Sequence, residues 1–62
     1  MTRKEQMLAE LSRGSGTARQ LSDRLGLRLT IVRSVITRLH KKGLIRDTED
    51  NLNMENIWEI ND

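Results

Sequence analysis

The stretch that decides the fold is TARQLSDRLGLRLTIVRSVITRLHKKGLI, residues 17–45. It contains two segments with apolar residues at helical spacing, and the tripeptide LGL separates them. Thr17 is followed three residues later by Gln20, which is the spacing of a capping box, and Gly26 suits a helix end. The first segment therefore predicts a short helix over about residues 17–25.

The second segment predicts a longer helix over about residues 29–42. Its apolar residues fill an arc of about 140° on one side of a helix. They are Ile31, Val32, Val35, Ile36 and Leu39. The opposite face is polar and basic, without an acid. Lys41 and Lys42 fall in the last turn, where cations suit the helix dipole, and Gly43 ends the helix.

Outward from this stretch, the N-terminal segment predicts another helix, over about residues 2–13. Thr2 and Glu5 repeat the capping-box spacing, and a glycine follows the last turn. The apolar stripe of this helix consists of Met7, Leu8 and Leu11. A brief extra strand around residues 15–17, in the link to the next helix, is compatible with the sequence but not required by it.

On the C-terminal side, residues 44–60 predict a β-hairpin. LIRD and NIWEI have the composition of short strands, and the polar stretch TEDNLN, residues 48–53, is predicted to turn between them. The whole chain, residues 1–62, is then one α+β domain of three helices followed by a hairpin.

The predicted core joins the apolar faces of all these elements. Trp58 and Ile60 share one face of their strand, and Leu44 or Ile45 should meet them from the other strand. Trp58 is assigned as the main core anchor, with base stacking as the alternative role. The predicted core residues are Leu8, Leu11, Leu21, Leu25, Val32, Val35, Ile36, Leu39, Trp58 and Ile60.

Composition argues against an enzyme. The chain has no Cys and one His, His40, which stands among cationic neighbours, so we predict no catalytic residue, no metal ligand and no cofactor. A chain of 62 residues rarely builds a pocket with convergent polar groups. Since no apolar run approaches transmembrane length and the start MTRKEQ has no apolar signal region, we expect a soluble cytoplasmic protein.

Charge is strongly segregated along the chain. Residues 1–46 hold all 11 Lys and Arg with three acids, a net charge of +8. Residues 47–62 hold six acids without Lys or Arg, a net charge of −6. The basic part is suited to attract anions, and the acidic part is suited to repel them.

The segment from TARQ to KGLI resembles the winged helix-turn-helix domains of bacterial, archaeal or phage transcriptional regulators. The shared features are the capped short helix, LGL as the turn, a small or β-branched start of the next helix, and RLHKKGLI leading into the wing. The resemblance covers about residues 2–60. It implies that the third helix lies in the major groove of double-stranded DNA.

The resemblance implies two sets of DNA contacts. The base-facing set is Thr30, Arg33, Ser34 and Thr37. A guanidinium such as that of Arg33 can bridge the two acceptors of guanine, and hydroxyl groups can bond base or phosphate oxygens. The backbone set is Thr17, Arg19, Arg28, Arg38, Lys41, Lys42 and Arg46.

Two features depart from this family. Arg28 occupies the position where such domains commonly have Ser or Thr as the helix cap, and Thr30 could take over that role. Glu49 and Asp50 are predicted near the wing tip, where Arg or Lys is common in the family. We therefore expect the wing to stay out of the minor groove. The acids either keep the hairpin soluble and pair with nearby Arg, or bind a partner.

These observations lead to two hypotheses for function. The first is a sequence-specific binder of double-stranded DNA, a small transcriptional regulator. The alternative is a winged-helix protein-interaction module that docks through its acidic wing or its first helix, and a homodimer or a larger protein partner is open in both cases. Binding of single-stranded RNA is poorly supported, because one aromatic residue does not make a stacking platform.

Overall fold

A computed structural model describes residues 2–61. The elements follow one another as α1, Arg3–Arg13; α2, Ala18–Leu25; α3, Leu29–Lys41; β1, Ile45–Leu52; and β2, Glu55–Ile60. The predicted α+β class and the order of three helices and a hairpin are confirmed. The predicted domain, residues 1–62, extends at each end by one residue outside the described range.

Both predicted capping boxes are present. The backbone N–H of Glu5 donates to Thr2 Oγ1 over 3.1 Å. The backbone N–H of Gln20 donates to Thr17 Oγ1 over 3.2 Å, and Gln20 Oε1 accepts from the Thr17 N–H over 3.0 Å. These bonds satisfy N–H groups that a helix leaves without partners at its start. They fix the first residues of α1 and α2.

Helix α3 begins differently, because Arg28 is its N-cap and no side chain caps it. Thr30 lies inside the first turn, so the proposal that Thr30 caps the helix is wrong. An Arg side chain has donors but no acceptor, and it therefore cannot accept from the helix N–H groups. At the other end, Gly43 has a φ of +76°, and the Leu44 N–H reaches back to the Leu39 carbonyl over 3.0 Å.

The hairpin turns at Asn53 and Met54, with φ of 52° and 66°. Two successive residues with positive φ between antiparallel strands define a type I′ turn. The prediction that the whole of residues 48–53 forms the turn is therefore wrong. Most of that stretch belongs to β1, which continues to Leu52.

An irregularity interrupts β1. The strands are in register from Ile45 opposite Ile60 to Asp47 opposite Trp58, and pairing resumes at Asn51 opposite Asn56. Between these positions, Asp47 Oδ1 accepts from the Glu49 N–H over 2.9 Å, and Thr48 Oγ1 accepts from the Asp50 N–H over 3.3 Å. Such local bonds offer the backbone an alternative to the ladder, which produces a bulge over residues 48–50.

The brief extra strand left open between α1 and α2 is a single bridge. Gly16 donates to the Trp58 carbonyl over 3.1 Å and accepts from the Trp58 N–H over 2.8 Å. A Cβ on Gly16 would lie 3.1 Å from Gln20 Oε1, so the absence of a side chain leaves room for the Gln20 side chain that completes the capping box of α2. The bridge attaches β2 to the helical part of the molecule.

The core lies between the three helices, and Ile45 at the start of β1 completes it. Five of the predicted core residues are buried: Leu11, Leu21, Val32, Ile36 and Leu39. The other five only pack against the core and remain partly exposed: Leu8, Leu25, Val35, Trp58 and Ile60. Met7, Ala18 and Ile45 are buried instead.

Trp58 lies at the margin of the core, and the prediction that it is the main anchor is wrong. Its indole meets the His40 ring edge-on, with ring centroids 5.0 Å apart. Met7 belongs to the predicted stripe of α1 but not to the predicted core, and it is fully buried, whereas Leu8 is only partly buried. Ile45 pairs with Ile60, which confirms the predicted meeting of the two strands.

Candidate nucleic-acid interface

The solvent face of α3 gathers the predicted base-facing residues. Thr30, Ser34, Thr37 and Lys41 lie within about 60° of one another around the helix axis, and all four are exposed. Arg33 and Arg38 flank them on opposite sides, which widens the face to about 140°. Short hydroxyl side chains in the centre allow a close approach of another surface, with cations at both edges.

Thr37 is the one hydroxyl of this face whose bonding the structure defines. Its Oγ1 donates to the Arg33 carbonyl, one turn earlier, over 2.9 Å. The donor hydrogen is therefore occupied within the helix. Thr37 is nevertheless exposed, and its oxygen can still accept from a base amino group while its methyl group suits a thymine methyl.

Arg33, which was predicted to face a base, is held in an ion pair. Its Nη2 lies 3.2 Å from Glu55 Oε1, and Arg19 Nε lies 3.4 Å from Glu55 Oε2. Glu55 thus borders the face that the sequence of α3 alone presents as free of acids. Sequence reasoning missed this carboxylate because it follows Arg33 by 22 residues and Arg19 by 36.

A second ion pair holds Arg46, which was predicted to contact the DNA backbone. Arg46 and Glu59 lie opposite each other on β1 and β2, and Arg46 Nε donates to Glu59 Oε1. Opposite charges at directly opposed strand positions attract each other across the hairpin. This ion pair therefore holds Arg46 within the hairpin, although its side chain remains largely exposed.

The other predicted backbone-contacting cations remain available. Arg28 stands at the start of α3, and Arg38, Lys41 and Lys42 lie toward its end, all with exposed side chains. Within residues 2–61, no carboxylate lies within ion-pair distance of these four cations. They form the unneutralised part of the surface.

Thr17 does not belong to this surface. It is 2% exposed, and its hydroxyl accepts the capping bond from Gln20. The prediction that Thr17 contacts a phosphate is wrong, because a buried capping hydroxyl cannot reach a ligand outside. Arg19, two residues further on, is exposed and projects toward the hairpin.

A groove between the start of α1 and α3 extends the basic surface. It has a volume of about 520 Å³, with Ile31, Val35 and Leu39 among its lining residues. The cations along it are Arg3, Lys4, Arg38 and Lys42. Arg3 and Lys4 were missed by the sequence prediction, because only the packing of α1 against α3 brings them beside the predicted face.

On the other side of α3, the hairpin turn closes a second groove of about 380 Å³. Met54 and Asn56 line it together with Arg33 and Thr37. The turn itself is Asn53–Met54 and carries no charge, so the prediction that Glu49 and Asp50 lie near the tip is wrong. Both acids are exposed, but they belong to the bulge of β1.

Metal-binding clusters and membrane-spanning helices are absent from the described residues. Residues 2–61 contain no group of three or more His, Cys, Asp or Glu side chains placed to hold a metal ion. Over the same residues, no helix combines the length and apolar character needed to cross a membrane.

Comparison with known proteins adds no relative. No protein-family model matches this chain, and no curated protein matches its sequence.

Proposed function

We propose that this chain is a winged helix-turn-helix protein that binds double-stranded DNA sequence-specifically, as a small transcriptional regulator. The observation that carries the proposal is the exposed face of α3, with hydroxyl residues in its centre and cations along both edges. An α-helix with short polar side chains fits the major groove, and flanking cations suit the phosphates beside it. The order of three helices and a hairpin supports the same assignment. The location that follows is the cytoplasm, at the nucleoid.

In this proposal, the two kinds of contact separate on α3. Thr30, Ser34 and Thr37 face base edges, and Arg33 reaches a guanine from the hairpin side. Phosphates on the side of α3 away from the hairpin are bound by a second group of residues, all of them cations. Two come from α1, and the full group is Arg3, Lys4, Arg28, Arg38, Lys41 and Lys42.

Duplex binding at several salt concentrations tests the proposal. Fluorescence anisotropy with a random-sequence duplex should show log K falling linearly with log salt concentration, with a slope of about −0.9 per phosphate contacted. Arg38→Gln should make that slope shallower by about one contact. Arg13→Gln removes the same charge at the far end of α1, from an exposed side chain paired with Glu10, and serves as the control.

Sequence specificity requires a second measurement. Selection of duplexes from a random pool should enrich a motif, and Ser34→Ala should change the enriched motif while leaving affinity for random duplex nearly unchanged. A chain that binds no duplex even at low salt, or that enriches no motif, would contradict the proposed function.

The alternative is a protein-interaction module, and the end of the hairpin favours it. Met54 is 97% exposed and Leu52 is 43% exposed, which is unusual for large apolar side chains at a turn beside exposed acids. In this alternative, the hairpin docks on another protein or on a second copy. Sedimentation equilibrium with Met54→Asn as the variant tests self-association: the loss of a dimer in the variant, with no duplex bound by either form, would favour the alternative.

A further inference from the structure

Glu55 connects three elements through one carboxylate. It is the first residue of β2, immediately after the turn, and its side chain is 20% exposed. Oε1 pairs with Arg33 of α3 over 3.2 Å, and Oε2 pairs with Arg19 of α2 over 3.4 Å. Both arginines were predicted to contact DNA, one at a base and one at the backbone.

A DNA phosphate and this carboxylate compete for the same groups. Guanidinium groups bind both anions through the same N–H donors and in a similar planar geometry. A phosphate that approaches either arginine must therefore displace Glu55 or lie close to its negative charge. Both events weaken binding, and they do so for every duplex, because the phosphates are the same whatever the sequence.

Base contact differs from phosphate contact in this respect. Arg33 donates to Glu55 through Nη2, and that hydrogen bond leaves the other donors, Nε and Nη1, for a base. A base edge presents neutral acceptors, which Glu55 repels far less than it repels a phosphate. The carboxylate therefore weakens sequence-independent contacts more than it weakens a base contact of Arg33.

We propose that Glu55 is an electrostatic latch that suppresses nonspecific DNA binding by holding Arg19 and Arg33 in the free protein. This inference rests on the proposed DNA-binding function and assigns Glu55 a role in its selectivity. The latch lies in the hairpin, so the hairpin influences selectivity even where it makes no contact with DNA.

Glu55→Gln tests the latch, because glutamine keeps the shape and one acceptor but removes the charge. Binding to a random-sequence duplex should tighten about three- to tenfold at low salt. The slope of log K against log salt concentration should steepen by about 0.9 to 1.8, as one or two arginines become free to contact phosphates.

Glu10→Gln is the matched control. Glu10 is 17% exposed and pairs with Arg13 over 3.8 Å within α1, so the substitution removes the same charge from a similarly exposed ion pair away from the DNA-binding face. Its effect measures the change in net charge alone. Circular dichroism confirms that each variant is folded. If Glu55→Gln fails to fold, Glu55→Asp keeps the charge but shortens the reach, and it should give a smaller increase in affinity.

The outcomes separate the two proposals. A larger gain in affinity and a steeper slope for Glu55→Gln than for Glu10→Gln support the latch. Equal changes in the two variants, with the unaltered chain binding duplex, overturn the latch and leave DNA binding intact. If neither the unaltered chain nor Glu55→Gln binds duplex at low salt, the proposed function fails, and the latch fails with it.

Discussion

At the scale of single residues, two threonines show how burial changes the role of the same motif. Thr2 and Thr17 both cap a helix and both accept from the N–H three residues later. Thr2 is exposed, whereas Thr17 is buried. In an exposed cap, water can replace the lost hydroxyl, while a buried N–H left without a partner loses its hydration as well.

Thr17→Ala should therefore lower the free energy of unfolding by about 1–2 kcal/mol, and Thr2→Ala by about 0.5 kcal/mol. Urea denaturation followed by circular dichroism measures both. Thr17→Ala should bind random duplex as the unaltered chain does at a temperature where both are folded. A loss of duplex affinity in folded Thr17→Ala would restore Thr17 to the phosphate-contacting set.

At the scale of elements, the start of α3 carries a positive charge where α1 and α2 carry a stabilising side-chain cap. Arg28 places a cation beside the helix N-terminus, which is unfavourable for the helix dipole, and its side chain makes no capping bond. Arg28→Ser should raise the free energy of unfolding by about 1 kcal/mol and weaken duplex binding, since a phosphate contact is lost. Arg28→Ala, which removes the charge without providing a cap, should weaken binding equally and stabilise less. Equal stability of the two variants would show that serine does not cap α3.

The hairpin turn is a second element with a local cost. Met54 has a φ of 66°, where a side chain other than glycine costs about 1 kcal/mol, and type I′ turns prefer glycine there. Met54→Gly should raise the free energy of unfolding by about 0.5–1 kcal/mol in thermal denaturation. Asn56→Gly, two residues further on in β2, should lower it instead. If Met54→Gly instead lowers the free energy of unfolding, the methionine side chain makes stabilising contacts despite its exposure.

The elements that the sequence predicts well are those that local signals specify. Two capping boxes, glycines after the last turns and a 3.6-residue period define the helices to within a residue or two. The hairpin turn escaped prediction because Asn53–Met54 lacks the glycine that marks type I′ turns. The bulge depends on bonds from Asp47 and Thr48 to their own backbone, which a strand pattern does not reveal.

The candidate site was predictable in part for the same reason. The exposed face of α3 follows from helical periodicity alone, so its hydroxyl and basic residues could be named from the sequence. The contributions of Arg3 and Lys4 depend on how α1 packs against α3. The pairing of Glu55 with two arginines depends on where the hairpin lies against the helices. No periodicity connects residues of such distant segments.

At the scale of the whole molecule, the five acids of residues 47–61 fall into two groups. Glu55 and Glu59 pair with arginines of the basic segment and neutralise them at contact distance. Asp47, Glu49 and Asp50 cluster at the bulge, where no cation of residues 2–61 lies within ion-pair distance. In the proposed DNA binding, the first group competes directly with phosphates for the arginine donors, while the second repels phosphates through the field around the molecule.

Ionic strength distinguishes these two actions. The double variant Glu49→Gln with Asp50→Asn should tighten binding to random duplex about two- to threefold at low salt, because two exposed charges no longer repel the phosphates. The gain should vanish at physiological salt, where the Debye length is about 8 Å. The gain from Glu55→Gln comes from one or two arginines freed to contact phosphates, so it should be larger at low salt and should decline by the full amount of about 0.9 to 1.8 in log K per tenfold rise in salt concentration. Anisotropy titrations of both variants across one salt series make the comparison. Weaker duplex binding in the double variant would show instead that the bulge contacts DNA, and the hairpin would then join α3 as part of the interface.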